Sequence, residues 1–123
     1  MSWDNPWTKH RQSFWAEQAG NPRLALWHRV YALAYGVHRR NGHAPFKPGE
    51  LGLAVALLDA TTGELLSARA DVLSRAIATC VEYGFLSPQS CARCLVVPSF
   101  AIEGGVLGRV DEPCRQLHSR REE

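Results

Sequence analysis

No apolar run in this chain of 123 residues is long enough to cross a membrane. The longest, around residues 51–58, falls far short of the roughly 20 residues that a spanning helix needs. The first residues carry neither a charged leader nor an apolar segment of the secretory type, so we expect no export signal. Repeats and low-complexity tracts are also missing. The composition, 46% apolar and 9% aromatic, indicates one folded domain with a small appendage.

A recognisable catalytic set is missing as well. The glycines within 104–108 lack the strand–helix context that a phosphate-binding loop requires. His28 and His38 lie in an aromatic-rich helical stretch and are expected to pack or be solvated, and His43 has no neighbouring nucleophile. Cys80 falls on the apolar side of a predicted helix, where a free cysteine behaves as a small hydrophobe. The sequence therefore predicts that the protein is not an enzyme.

The chain also lacks a strong excess of positive charge. The net charge is +2, with seven Lys or Arg against two acidic residues through position 47 and seven Arg against ten acidic residues after it. This uneven distribution gives only modest support to a polyanionic partner.

The last third of the chain contains two pairs of metal-ligand residues. Cys91-x2-Cys94 places two thiolates on one tight turn, and Cys114-x3-His118 places a thiolate and an imidazole on one face of a helical turn. Two such pairs match the four ligands of tetrahedral Zn²⁺. Because protein ligands fill all four positions, the predicted zinc site is structural. Reduced thiols and the missing signal together indicate a cytoplasmic protein.

The alternative to zinc is that these cysteines are free thiols or form a disulfide. A redox-active Cys-x2-Cys motif usually lies in a βαβ context, which the pattern around Cys91 does not offer. Nor would a redox pair require a histidine such as His118. Zinc remains the preferred interpretation.

Two helices are predicted in the first half of the chain. The first begins with Asn21 as N-cap and Pro22 at the first helical position, continues with apolar residues at three- to four-residue spacing, and ends before Gly42. This helix is expected to be largely buried. Residues 50–58 read as a short apolar helix, with a strand as the alternative, and residues 59–63 have turn chemistry.

A third helix is predicted from Ser67, as its cap, to about Tyr83, with Gly84 as its end. Its predicted apolar face consists of Val72, Ala76, Ile77, Cys80 and Val81. Its opposite face consists of Asp71, Ser74, Arg75, Ala78, Thr79 and Glu82. A β-hairpin is expected to follow, with 85–86 and 95–97 as its strands and the Cys-x2-Cys turn at its tip.

Residues 71–86 resemble the recognition helix and wing entry of bacterial winged helix-turn-helix DNA-binding domains. The residues that carry the resemblance are Ser74-Arg75, Ile77 and Gly84-Phe85-Leu86. Together with the zinc motif, the chain is similar to small winged-helix regulators of actinobacteria and their phages. The resemblance covers roughly residues 21–97. It departs from the family pattern in the long segment at 59–66 and in a wing that carries zinc ligands.

The resemblance implies a mainly α fold with a small β-hairpin, a winged helix-turn-helix with a structural zinc site in or after the wing. It also implies sequence-specific binding of double-stranded DNA, for transcriptional regulation or replication initiation, with the helix around 68–83 in the major groove. A dimer is expected because one recognition helix reads only a short half-site. The candidate DNA contacts are Arg69, Ser74, Arg75, Thr79 and Arg93.

These residues have different expected roles. Arg75 would reach a guanine edge or a phosphate, while Ser74 or Thr79 would donate to phosphate oxygens. Arg69 and Arg93 would contact phosphates, although solvated side chains are an equal alternative for both.

Three segments are expected along the chain: an aromatic N-terminal extension (1–20), a helix-turn-helix core (21–86) and a zinc-bound wing or C-terminal module (87–123). The aromatics of the extension would either cap the domain's own core or form a homodimer surface. They are Trp3, Trp7, Phe14 and Trp15. The alternative function is a zinc-containing adaptor that binds a host or partner protein and not DNA. No membrane partner is expected.

Overall fold

A computed structural model describes residues 8–101 of the chain. Within that range the fold is mainly helical, with four α-helices and two small antiparallel sheets. The helices are α1 (Gln12–Ala19), α2 (Leu26–Val37), α3 (Glu50–Ala54) and α4 (Ala70–Glu82), and a 3₁₀ turn spans Ser99–Ala101. The strands are β1 (His43–Pro45), β2 (Leu57–Leu58), β3 (Leu65–Leu66) and β4 (Cys94–Val96). None of the helices in this part of the chain is long and apolar enough to span a bilayer.

Helix α2 starts later than the sequence predicts. The Asn21 side-chain oxygen accepts a hydrogen bond from the Arg23 backbone N–H at 3.0 Å, so the predicted cap residue stabilises a turn instead. The helix begins at Leu26, and the expected start at Asn21 is wrong. Its end before Gly42 is confirmed, since α2 stops at Val37 and Gly42 turns the chain with a φ of 82°.

Helix α1 lies directly against α2 through a glycine contact. A Cβ atom added at Gly36 would lie 2.7 Å from the backbone nitrogen of Ala16 and 3.0 Å from its Cα. Only glycine therefore allows the two backbones this separation. The middle of α2 is buried beneath α1 and the rest of the domain, which confirms the expectation of a largely buried helix.

For residues 50–58 the sequence left a helix and a strand as alternatives, and the structure contains one of each. Residues 50–54 form the short helix α3, and residues 57–58 form strand β2. The predicted turn at 59–63 connects β2 to β3. The Asp59 carbonyl accepts the Gly63 N–H at 2.8 Å, and the Asp59 side chain accepts the Thr61 N–H at 2.7 Å.

Helix α4 ends where the sequence predicts but begins differently. Arg69, not Ser67, occupies its N-cap position, so the predicted cap is wrong. Gly84, with a φ of 84°, ends the helix as expected. The buried residues of α4 are Leu73, Ala76, Ile77 and Cys80. The predicted face is therefore rotated slightly: Leu73 replaces Val72 as the residue nearest the core.

Strand β4 pairs with β1, not with the segment that follows α4. The register aligns His43 with Val96 and Pro45 with Cys94. Residues 85–86 lie in a bend, so the predicted first strand of the hairpin is wrong. A single backbone hydrogen bond, from Ser87 N–H to Val96 O at 2.8 Å, joins that region to β4.

One hydrophobic core connects these elements. Its members come from both early helices, from α3 and α4, and from both strands of the β1–β4 sheet. Val30, Leu51 and Leu95 are among its most deeply buried residues. The sheet is thereby fixed against the helices, which positions the Cys-x2-Cys turn next to α4.

Candidate functional site

The exposed face of α4 carries the residues that the sequence singles out. Ser74, Arg75, Ala78 and Glu82 are all exposed there. The Arg75 side chain keeps 78% of its surface accessible. Because this face lies opposite the buried residues of α4, a partner can reach it without unfolding the domain.

An acidic residue lies between the two arginines at the start of α4. Arg69 Nη2 is 2.9 Å from Asp71 Oδ2, and Arg75 Nη2 is 3.6 Å from the same oxygen. The hydrogen bond from Arg69 lowers the pKa of Asp71, and the same bond raises the pKa of Arg69. Asp71 therefore stays ionised at neutral pH and partly neutralises both cations.

The other two candidate DNA contacts have partners within the domain. Thr79 donates its hydroxyl proton to the Arg75 backbone carbonyl at 3.0 Å. Arg93 donates from Nε to the Phe46 carbonyl at 2.9 Å, and its own carbonyl accepts the Phe46 N–H at 2.8 Å. Thr79 is therefore directed into its own helix, and Arg93 is attached to the end of β1.

A groove of about 450 Å³ separates α4 from the turn at residues 88–92. The α4 side of this groove includes Ser74, Ala78 and Glu82, and the turn side includes Ser90 and Cys91. The groove is open to solvent, and apolar side chains, among them Ile77 and Pro88, line it together with the polar ones. The exposed face of α4 therefore forms one wall of the groove, and the 88–92 turn forms the other.

The two cysteines of the turn lie directly opposite each other. Cys91 N–H donates to Cys94 O, and Cys94 N–H donates to Cys91 O, both at 3.0 Å. Opposed residues in such a pair project from the same face of a hairpin. Cys94 is fully buried, whereas Cys91 is partly exposed. The predicted two-thiol turn is therefore present in the fold.

The predicted second half of the zinc site, Cys114 and His118, lies outside the described residues. Within residues 8–101, no three His, Cys, Asp or Glu side chains are gathered closely enough to hold a metal. Cys94 Sγ lies 3.4 Å from His43 Nδ1, and both residues are buried.

Sequence reasoning did not find this pair. His43 and Cys94 are 51 positions apart, and only the β1–β4 register brings them together. In the sequence His43 lies between Gly42 and Pro45, a loop-type context that gives no signal of a partner.

The described part of the aromatic extension is divided between core and solvent. Trp15 packs against Tyr35, with ring centroids 5.5 Å apart, so it contributes to the domain's own hydrophobic structure. Phe14 remains 56% exposed. Trp3 and Trp7 lie outside the described residues.

No protein-family model, curated protein or solved structure matches this chain.

Proposed function

We propose that the protein binds double-stranded DNA as a winged helix-turn-helix domain, with α4 as the helix that enters the major groove. The order of elements supports this proposal: α2, β1, α3 and α4 are followed by β4, which returns to pair antiparallel with β1. A winged helix uses such a sheet to hold a turn beside its recognition helix. The β2–β3 hairpin between α3 and α4 is an addition to that plan.

The observation that carries the proposal is the surface formed by α4 and the 88–92 turn. An exposed helix face lies across a groove from an exposed turn. The major groove of B-DNA admits an α-helix, and a neighbouring turn can then lie along the phosphate backbone. The α4 wall is therefore suited to entering the major groove, and the 88–92 turn is suited to lying along the phosphate backbone.

Arg75 is the main candidate for reading a base. It lies in the N-terminal half of α4, the part of a recognition helix that approaches base edges. Its guanidinium can donate two parallel hydrogen bonds to guanine O6 and N7. Ser74, exposed beside it, has a hydroxyl that can donate to a phosphate oxygen.

The remaining arginines are proposed as phosphate contacts. Arg69 must exchange Asp71 for a phosphate, whereas Arg93 can keep its bond to Phe46 and present the rest of its guanidinium. Thr79 is the weakest member of the set because its proton is already donated within α4. Phosphate contacts of this kind fix position and register without reading sequence.

A structural zinc ion at the Cys91–Cys94 turn belongs to the same proposal. Zinc would hold the turn rigid beside α4, because a bound metal ion fixes the geometry of its ligand side chains. Thiolate ligands require a reducing compartment, which supports a cytoplasmic location. A dimer acting at two half-sites, in transcription or in replication initiation, completes the proposed function.

The test is fluorescence anisotropy of the zinc-loaded protein on mixed duplex DNA, titrated with salt. Each phosphate neutralised contributes about −0.9 to the slope of log K against log salt, so several contacts give a steep decline. Arg75→Ala should weaken binding to a selected site by about 1–3 kcal/mol, roughly 5- to 150-fold.

Arg23→Ala is the matched control, because Arg23 is exposed on the loop between α1 and α2 and lies off α4. Its Kd should equal that of the unaltered protein. Equal losses in both variants would mean that Arg75 acts only through net charge. No binding at low salt would refute the DNA proposal.

A protein-binding adaptor is the second candidate, and the β2–β3 hairpin favours it. Leu58 and Leu65 face each other across this hairpin and are 51% and 61% exposed. Leu66, at 48%, and Leu53, at 68%, are further exposed leucines in this part of the chain. Exposed apolar patches are common at protein interfaces. An adaptor would lack salt-sensitive DNA affinity and would lose its partner when Leu58 and Leu65 are replaced by threonine.

A further inference from the structure

Asp71 lies on the same exposed part of α4 as Arg75. It is the second residue of the helix, and Arg75 follows four residues later, so the two side chains are neighbours on one face. The Asp71 side chain is 54% accessible and that of Arg75 is 78% accessible. A duplex that meets Arg75 therefore also meets the carboxylate of Asp71.

The contacts of Asp71 leave both side chains able to bind an outside partner. Arg69 donates to the carboxylate twice, from Nε to Oδ1 at 3.2 Å and from Nη2 to Oδ2 at 2.9 Å. These two bonds use about half of the acceptor sites of an ionised carboxylate, roughly four in all. Arg75 Nη2 is 3.6 Å from Oδ2, which is too long for a hydrogen bond. The donors of Arg75 are thus held beside the acceptor but are not used by it.

A carboxylate at this position opposes binding that depends on phosphates alone. Phosphates repel it, and it loses its two bonds from Arg69 if that arginine moves to a phosphate. The loss is made good only where the groove offers Asp71 a hydrogen-bond donor. An unpaired charge that penalises the wrong partner is a source of specificity. Asp71 is therefore suited to discriminating between base pairs.

The G·C base pair matches the arrangement of Asp71 and Arg75. In the major groove, guanine presents the acceptors O6 and N7, and cytosine presents the N4 amino donor without a neighbouring acceptor of its own. Adenine places the acceptor N7 beside its amino group, and thymine presents an acceptor and a methyl group. Guanine O6 and cytosine N4 are hydrogen-bonded to each other, which places them about 2.9 Å apart. The 3.6 Å separation of Arg75 Nη2 and Asp71 Oδ2 is close to that spacing.

We infer that Asp71 and Arg75 together read one G·C base pair, with Arg75 donating to guanine and Asp71 accepting from cytosine N4. The inference rests on the proposed DNA-binding function and deepens it by assigning the base pair that this part of α4 recognises. When Asp71 bonds to cytosine, Arg69 is released to a phosphate. Base recognition and phosphate contact are then linked through one carboxylate.

The test changes one atom of the DNA together with one side chain of the protein. A duplex site is first selected with the zinc-loaded, full-length protein, and the base pair at which Arg75→Ala loses its preference is located. At that base pair, N4-methylcytosine replaces cytosine, which blocks the amino hydrogen that faces the groove and keeps the pairing with guanine. Fluorescence anisotropy then gives the Kd of each protein on both duplexes.

For the unaltered protein, the methyl group should weaken binding roughly 5-fold or more, the lower end of the discrimination that a good base contact provides. For Asp71→Ala, the same methyl group should change the Kd less than about twofold, because the acceptor is already absent. Glu17→Ala is the matched control: Glu17 is exposed on α1, and its loss changes the net charge by the same amount. This control should show the full methyl effect.

The outcomes separate this inference from the proposed function. Equal methyl effects in the unaltered protein and in Asp71→Ala, or a position sensitive to Arg75→Ala that holds no G·C pair, would overturn the inference and leave DNA binding in place. Absence of duplex binding by the unaltered protein at low salt would refute the proposed function and this inference with it.

Discussion

At the scale of single residues, Cys80 joins α4 to α2 through its thiol. It is fully buried, and its Sγ donates to the Trp27 carbonyl at 3.0 Å. Burial raises the pKa of the thiol to about 12. Since thiolate, and not thiol, is the reactive form, Cys80 should be inert in the native protein.

We therefore predict that iodoacetamide at pH 8 does not label Cys80 until the protein is unfolded, as peptide mass spectrometry can measure. Because the folded-state pKa lies above the ordinary value of 9.0, this thiol stabilises the fold fully below pH 9. The contribution declines as pH rises from 9 towards 12. Labelling of Cys80 in the native protein, at the rate seen in guanidinium, would contradict the prediction.

The burial of Cys80 could be predicted because it falls on a helical apolar stripe. Arg29 could not be predicted in the same way, since nothing in its neighbours distinguishes it from a surface charge. It is only 2% exposed, with Nε donating to the Ala19 carbonyl at 2.8 Å, and Nη1 has no hydrogen-bond partner among residues 8–101. Burial lowers its pKa. Packing of α1 over α2 decides its environment, so this charge is unavailable to a partner.

At the scale of secondary-structure elements, the contact between α1 and α2 depends on Gly36. We predict that Gly36→Ala destabilises the protein by roughly 1–3 kcal/mol, because the new methyl group would overlap the Ala16 backbone. Alanine gains up to about 1 kcal/mol of helix propensity over glycine, which offsets only part of that cost. Urea unfolding followed by tryptophan fluorescence, to which Trp15 contributes, measures the change.

Gly20→Ala is the control for this prediction. A Cβ atom at Gly20 would lie 3.7 Å from the Glu17 carbonyl, an ordinary contact, and its φ of −85° suits alanine. Its unfolding free energy should change by less than about 0.5 kcal/mol. Equal stability of the two variants would show that α1 can shift away from α2 at little cost.

The sequence predicted elements better than it predicted their pairing. The existence of α2 and α4 follows from their three- to four-residue apolar spacing, and the turn at 59–63 follows from its Asp, Thr and Gly chemistry. The start of α2 was misplaced because Asn21 serves an Asx turn as readily as a helix cap. The β1–β4 pairing joins residues about 50 positions apart, for which a single sequence provides no local signal.

In the candidate site too, features that depend on local pattern could be predicted, and contacts between distant residues could not. Exposure of Ser74 and Arg75 was predictable from the helical pattern of α4. The internal bonds of Thr79 and Arg93, and the approach of His43 to Cys94, depend on tertiary contacts that no spacing encodes.

At the scale of the whole molecule, one core includes residues on both sides of the predicted boundary at 86–87. Leu95 is fully buried in β4 and belongs to the same cluster as Val30 and Leu51. We predict that Leu95→Ala lowers the free energy of unfolding by about 2–5 kcal/mol. Far-UV circular dichroism and tryptophan fluorescence should report one shared transition, because the helices and the sheet share this core.

Leu65→Ala is the comparison, because Leu65 is 61% exposed on β3. That variant should keep a midpoint within the error of the unaltered protein. Two separate transitions in Leu95→Ala, one for helices and one for the remainder, would mean that the β4 region unfolds on its own.

The pairing of β1 with β4 has a consequence for synthesis on the ribosome. Residues 43–45 must wait for residues 94–96 before they acquire their strand partner. At a synthesis rate of about 5–20 residues per second, that delay is roughly 3–10 s. During this interval the apolar surface of α2 can be shielded only by α1 and by the growing chain. A nascent chain arrested before Val96 should therefore be a better substrate for chaperones and proteases than one that has passed it.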